Sequence, residues 1–443
     1  MAPHSSSTQE LTNLSPTDWQ HDAEHHQQPQ HQSLPPADRG KAAYLFLAAC
    51  FMLEALVWGF PFAFGVFNTH YAKLEPFASE GGIANIGTTQ SGLMYFAAPF
   101  AALAMQRWPR YRRHVAGGGL VLMVAGLVAA SFCNSVSGLI ATQGVMYALG
   151  GLVLYFPAMQ LIGEWFVQRR GLAFGLVWAG TGVSGIVVPF LLQWLLDKYG
   201  FRTTLRVWSV VLGLGAAPCV YWVRPRLPIG HASSWRPIEM GFMKRIQFWI
   251  FELGNIFQSL GFFLPTLYIP AFALSLGLPD FAGPLALALF NLAFCFGAVL
   301  IGFLVDRFHV MVAISVSTIG QMIAIFIFWG LSTSQVMLYF FALLFGCFGG
   351  GFSATWSGCA NALQRLEPSG HIDSGLIVAL MAAGKGIGAV ISGPLSERLL
   401  SIDRWQGHAG FAYGSDYGVL VVFTGVSATL GGTAWIGRLL RLL

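Results

Sequence analysis

Charge is what this sequence has least of. Only 10% of its 443 residues are Asp, Glu, Lys or Arg while 55% are apolar, a balance that excludes both a water-soluble globular domain and an unfolded chain. Alternation of polar and apolar residues is missing too, which excludes a membrane β-barrel. All six cysteines fall in or at the ends of apolar stretches, so no disulfide framework is read and no redox role is implied. The 11 histidines lie in a polar tail, in loops or at the ends of apolar blocks. With no buried His/Asp/Ser or metal-ligating group, the reading is not an enzyme, and neither a metal nor a cofactor is called for. A cleavable signal is likewise lacking. Residues 1–40, with "HDAEHHQQPQHQSLPP", are polar and without periodicity, and read as a disordered cytoplasmic tail. Its histidine cluster is a matter of composition and is not assigned a metal. The sequon at Asn13 is expected to be cytosolic and unglycosylated.

What is present is apolar length. The apolar material comes in blocks of roughly 20 residues, enough to cross a hydrocarbon core of about 30 Å as helices. Turn signals place helices over 42–67, 86–105, 115–133, 138–163, 171–196 and 203–223, then over 247–275, 283–305, 311–331, 335–362, 375–399 and 418–437. The expected fold is therefore an all-α polytopic membrane protein with twelve transmembrane helices. It divides into a six-helix bundle over 41–223, a cytoplasmic linker over 224–246 and a second bundle over 247–443.

The few charges are unevenly spread. With both termini inside, 17 of the 24 Lys and Arg residues fall on cytoplasmic segments and 6 on the opposite face, leaving Lys385 within a helix. Positive loops stay cytoplasmic, so the adjacent Arg169 and Arg170 pin the turn between helices four and five to that side. The net charge of +5 needs no nucleic-acid partner, because the basic residues sit in short loops rather than in one basic domain. The plasma membrane is the expected location.

An internal repeat relates the two groups of six. "GLAFGLVWAGTGVSGIVVPFLLQWLL" from 171 aligns without gaps on "GLIVALMAAGKGIGAVISGPLSERLL" from 375, a shift of 204 residues that also superposes Pro61 on Pro265. Such repeats mark carriers whose halves rock about a central site. Helix eight ends in "GFLVDR", Gly302 to Arg307. With the repeat, it resembles the major facilitator superfamily and its G-x-x-x-D-R loop motif. In that superfamily the motif latches one conformation, which assigns Gly302, Asp306 and Arg307, with Arg169 and Arg170, to gating. The first-half copy, "ALAMQRWPRYRR", carries Gln106 in place of the aspartate. Within the superfamily, "EALVWGFPFAFGVF", "YFPAMQLIGEWFVQRRGLAFGLVWAGTGVSG" and "GNIFQSLGFFLPTLYIP" are similar to the monocarboxylate transporter family, most of all its fungal branch.

That resemblance implies secondary transport of a small organic, monocarboxylate-type anion by alternating access, with protons as a coupling ion. Export of a specialised metabolite and a non-transporting sensor on a carrier fold stand beside it. The lysine, aspartate and arginine of the animal members are replaced by Phe62, Phe294 and Ala298, so their machinery does not carry over. Two deep charges remain, Glu54 and Lys385, each costly at membrane depth and hence expected to be functional. Lys385 between Gly384 and Gly386 is the expected counter-ion for the anion, and Glu54 the proton carrier or the partner that pairs with Lys385 when the cavity is empty. Trp58, Asn255, Gln258, Tyr268, Asn291 and Trp356 are the further polar or aromatic candidates for the lining. Glu164 and Glu252 are placed at the boundary, where long side chains reach water.

Overall fold

The computed structural model describes residues 35–80, 82–108, 111–227, 240–279, 281–366, 373–401 and 407–435. The tail with its histidine cluster and Asn13, much of the expected linker, and the last residues with Arg438 and Arg441 lie outside the described residues. From Pro36 onward the chain forms one compact unit, and its described residues are helical with no strand.

Among the described residues, nine helical segments are long and apolar enough to cross a membrane. One of them, Arg170–Trp222, is two rods broken at Gly200, whose φ of 73° is one that glycine adopts without a Cβ penalty. An apolar helix over Arg112–Ala130 and a rod over Ala84–Phe96 and Ala98–Arg107 complete twelve. In chain order α1 is Lys41–Phe62, α2 is Ala84–Phe96 with Ala98–Arg107, α3 is Arg112–Ala130, and α4 is Val136–Leu139 continued through Tyr147–Trp165. The Gly200 break separates α5, 170–199, from α6, 201–222. Then follow α7 Ile246–Ser275, α8 Ala282–Arg307, α9 Val310–Met322 continued through Ile323–Trp329, α10 Gln335–Phe345 continued to Thr355–Arg365, α11 Ser374–Leu400 and α12 Gly418–Leu430 within a span reaching Trp435.

The expected helices agree with these within a few residues, and the departures are local. After Pro61 the first rod is interrupted at Ala63 and resumes over Phe64–Tyr71; proline lacks the N–H that an unbroken helix needs. Looser π-helical turns interrupt α4 at Ile140–Met146 and α10 at Gly346–Gly350. Such bulges re-aim the residues that follow them.

Packing follows the glycines. Between helices in lipid there is little hydrophobic drive, so close backbone approach carries the association. A Cβ on Gly180 of α5 would stand 2.7 Å from the Phe51 carbonyl oxygen of α1, and one on Gly182 would stand 2.5 Å from Cys295 Sγ of α8. At the equivalent positions of α11, Gly384 packs on Glu252 of α7 and Gly386 on Tyr95 of α2. The 204-residue register thus reappears in space. In each half the repeated helix lays one glycine on its own bundle's first helix and the next on the other half. The "GCFGGG" run of α10 packs Gly346 and Gly350 onto Phe290 and Phe294 of α8.

Side assignment yields a direct test. In a chain whose Cys133 is replaced by serine, cysteines at the exposed Asn134 and Asp416 are expected to react with an impermeant reagent outside intact cells. A cysteine at the exposed Gln168 is expected to react only after permeabilisation. The opposite pattern would invert the topology.

Candidate functional site

Glu54 and Lys385 come together. Both line one cavity between the two repeats, with walls from α1, α2, α4, α5, α7, α8, α10 and α11. Nine of the nineteen lining residues are aromatic, among them Trp58, Phe62, Tyr95, Tyr155, Trp178 and Trp356. The cavity measures about 50 Å³, room for a few waters, whereas ligand pockets run to about 300–1,000 Å³. This is a closed conformer of the site.

The sequence supplies these walls at helical spacing. Glu54 and Trp58 are four apart on α1, Tyr155 and Met159 on α4, Trp178 and Thr181 three apart on α5, and Val378, Ala382 and Lys385 share a face of α11. Trp178 meets Trp356 edge-on with centroids 5.4 Å apart, joining α5 to α10 across the two repeats. Trp58 lies 4.4 Å from Tyr95 and edge-on to Tyr155 at 6.2 Å. Aromatic pairs in these geometries contribute roughly 0.5–1.5 kcal/mol beyond the area they bury.

The two charges do not form a direct ion pair. Lys385 is 5% exposed, and its Nζ donates to Ser353 Oγ at 2.7 Å. It stands 4.5 Å from the Phe262 ring centroid and within 6 Å of those of Trp356, Tyr95 and Phe263. Four rings thus share the ammonium with one hydroxyl, and ring faces attract a desolvated cation. Glu54, 2% exposed, accepts at Oε1 from Thr181 Oγ1 at 2.6 Å. Its Oε2 has no hydrogen-bond partner among the described residues. The Tyr155 side chain also interacts with the Glu54 carboxyl, and Ser353 takes one of the three N–H donors of Lys385. The internal repeat adds a pattern: a shift of 204 residues takes Glu54 to Gln258 and Thr181 to Lys385. Acid and neutral hydroxyl in one half correspond to neutral amide and base in the other.

Of the eight residues that the sequence suggested for the lining, Glu54, Trp58, Trp356 and Lys385 face the cavity. Asn255 stands behind the wall, accepting from Trp356 Nε1 at 2.9 Å and donating to the Met381 carbonyl at 2.6 Å. Gln258 donates to Gln321 Oε1 at 3.0 Å inside the second bundle. Tyr268 donates to Ser396 Oγ at 2.9 Å, and Asn291 donates to the Gly185 carbonyl at 3.3 Å across the α5–α8 contact. Glu252 departs from its expected place at the boundary. It is 6% exposed, because α11 approaches through Gly384 and covers it. Tyr95, Tyr155, Trp178, Thr181 and Ser353 escaped the sequence reading, although their spacing from one another on α4 and α5 is a usable signal.

A second cluster closes the end that carries the arginines. Asp306 at the end of α8 accepts from the backbone N–H of Gly171 at 2.6 Å and of Leu172 at 2.7 Å. A carboxylate across the first turn of α5 takes up donors that have no partner within the helix, and it complements the positive end of the helix dipole. Gly302 makes this possible, since a Cβ there would collide with the Gly171 carbonyl oxygen. Arg170 is buried and donates to Asn361 Oδ1 of α10 at 3.1 Å. Arg169 and Arg307 are exposed, Arg307 lying against the Phe303 ring. The adjacent arginines thus have different surroundings: Arg170 enters the junction of the two repeats and Arg169 faces out.

Asp38 joins this cluster from a stretch expected to be disordered, so ordered chain begins earlier than residue 41. Its carboxylate accepts from the N–H groups of Val167, Gln168 and Arg169 at 2.9–3.2 Å. Burial alone would raise its pKa, but the three N–H donors and the Arg169 charge outweigh that and hold it below the usual carboxylate value. That interaction is in place above the ordinary carboxylate pKa and is lost as pH falls through the depressed one.

The comparisons match this architecture. The model of the Major Facilitator Superfamily matches residues 44–392. The chain belongs to this superfamily. Among similar proteins of this superfamily is the MFS-type transporter pynF of Aspergillus niger, 27% identical over 86% of this chain and 87% of that protein. The Fujikurins efflux protein of Gibberella fujikuroi is 25% identical over 91% of this chain and 83% of its own length. In fold, this facilitator is similar to a bacterial homologue of the iron transporter ferroportin solved in an outward-facing state. The TM-score is 0.65 at 16% identity, covering 89% of this chain and 98% of that one.

Proposed function

We propose that this facilitator is a secondary carrier that exports a lipophilic organic anion, of monocarboxylate type in its charged group and aromatic or conjugated in its body. Lys385 would be the counter-ion and Glu54 the proton carrier. The observation that carries this reading is one buried ammonium and one buried carboxyl on a wall otherwise of aromatic and aliphatic side chains and two hydroxyls. A desolvated cation at membrane depth recruits negative charge, and rings recruit flat apolar bodies. An arriving carboxylate replaces Ser353 at Lys385, and Glu54 takes or releases a proton as the charge beside it changes. Alternating access follows from the seal at Asp306 and Arg170 opening while the aromatic contacts across the cavity close.

The outward direction is favoured by the likeness to a protein named for efflux. Phe62, Phe294 and Ala298 at the places of the animal lactate carriers' ionic residues favour a substrate larger and less polar than lactate. The plasma membrane with cytosolic termini is part of the proposal. Proteoliposomes holding the full chain would be given lactate, benzoate, cinnamate and a longer aryl carboxylate under pH gradients of either sign. Gradient-dependent movement of the aryl carboxylates in preference to lactate is the expected result. No movement of any of them, or a preference for lactate, would sink it.

A further inference from the structure

Glu252 is the one deep carboxyl that the cycle above does not use. It lies on α7, 6% exposed, and its Oε2 has no hydrogen-bond partner among the described residues. The close approach of Gly384 makes its burial a built feature: a Cβ on Gly384 would collide with Glu252 Oε1 and stand 3.0 Å from Asn255 Nδ2. Only glycine lets α11 cover the carboxyl in this way.

Its neighbours on α7 border two spaces, although Glu252 itself lines neither. On one side, Asn255, three residues on, carries the hydrogen bond to Trp356 of the cavity wall. On the other, the preceding residue Phe251 lines a crevice of about 240 Å³ between the ends of α7, α8, α9 and α10, with Gly358, Asn361, His309 and Arg365 around it. The groups facing Glu252 are the Gly384 backbone on α11, Asn255 on its own helix and the Cys359 thiol on α10. The neighbouring Lys385 turns its ammonium to Ser353 and the ring cage instead. No cation among these contacts compensates a negative charge on Glu252. An ionised carboxylate so placed costs several kcal/mol, and a proton removes that cost.

We infer that Glu252 is a proton-binding site separate from Glu54. Its place in a transport cycle rests on the proton-coupled reading above, whereas proton binding does not and is measured without any substrate. The measurement is infrared spectroscopy of the full chain in nanodiscs, titrated with acid and exchanged into deuterium oxide.

At neutral pH a protonated-carboxyl component is expected that persists in Glu54→Gln, is absent from the spectrum of Glu252→Gln, and is lost altogether in the double variant Glu54→Gln, Glu252→Gln. Glutamine keeps the shape, and an unchanged thermal unfolding midpoint shows that the variant is folded. A neutral-pH spectrum that Glu252→Gln leaves unaltered would overturn the inference. Failure of the aryl carboxylates to move in proteoliposomes, with the band intact, would count against the proposed transport and not against this site.

Discussion

Replacing Lys385 by alanine is expected to abolish transport of an aryl carboxylate while leaving the protein folded and in the membrane. Among the described residues the ammonium is the only cation on the cavity wall, held by one hydroxyl and four rings. A substrate carboxylate bound there without it would be a buried, unpaired charge. Truncating one member of a buried charge pair costs about 2–5 kcal/mol, roughly thirty-fold to a few thousand-fold in affinity. Arginine at this position keeps the charge but must fit a flat, wider head among the same rings, so partial transport with weakened affinity is expected. Glu54→Gln keeps an acceptor for the Thr181 hydroxyl and loses only the titratable proton. Its transport should persist with the pH dependence gone. Flux and affinity measured in proteoliposomes at matched protein content separate the three variants. Unchanged affinity and rate in Lys385→Ala would refute the counter-ion role.

Asp306→Asn is expected to lower turnover by one to two orders of magnitude and to leave equilibrium affinity within a few-fold. The carboxylate holds two N–H groups of α5 from the end of α8, and it is absent from the residues lining the cavity. Hydrogen bonds to a charged group contribute about 1.5–3 kcal/mol, and a helix terminus adds up to about 2 kcal/mol. An amide oxygen accepts one of the two bonds without the charge, and its NH₂ faces backbone donors. The state sealed at this end is destabilised, and the exchange between states slows or becomes one-sided. Equilibrium binding beside counterflow rates makes the comparison. Loss of affinity with normal turnover would mean that Asp306 acts on substrate after all.

Both variants bear on residues that the sequence could name. Lys385 and Glu54 stood out because charge inside long apolar runs is costly, and Asp306 because it ends such a run in a recognisable hexapeptide. What could not be read was orientation about the helix axis. Asn255, Gln258, Tyr268 and Asn291 were equally good lining candidates by composition. Each spends its hydrogen bonds on a neighbouring helix instead, which only the relative rotation of the helices decides. Glu252 was misplaced for a related reason. Depth along a helix suggests a boundary residue, but burial depends on whether another helix covers it.

The sequence by itself determined the membrane-spanning all-helical class, the helix boundaries to within a few residues, the repeat and the rare deep charges. These follow from local composition and spacing, because lipid forces each span to satisfy its own backbone as a helix. Tertiary structure alone decided that Glu54 and Lys385 share one closed aromatic cavity yet bond to Thr181 and Ser353 rather than to each other. It also decided that Asp38 and Asp306 converge on the start of α5. All of those contacts except Lys385 to Ser353, 32 apart, join residues more than a hundred positions apart. They are fixed by glycine-mediated approach between helices, such as Gly171 on Gly302, a distance that no local pattern along the chain encodes.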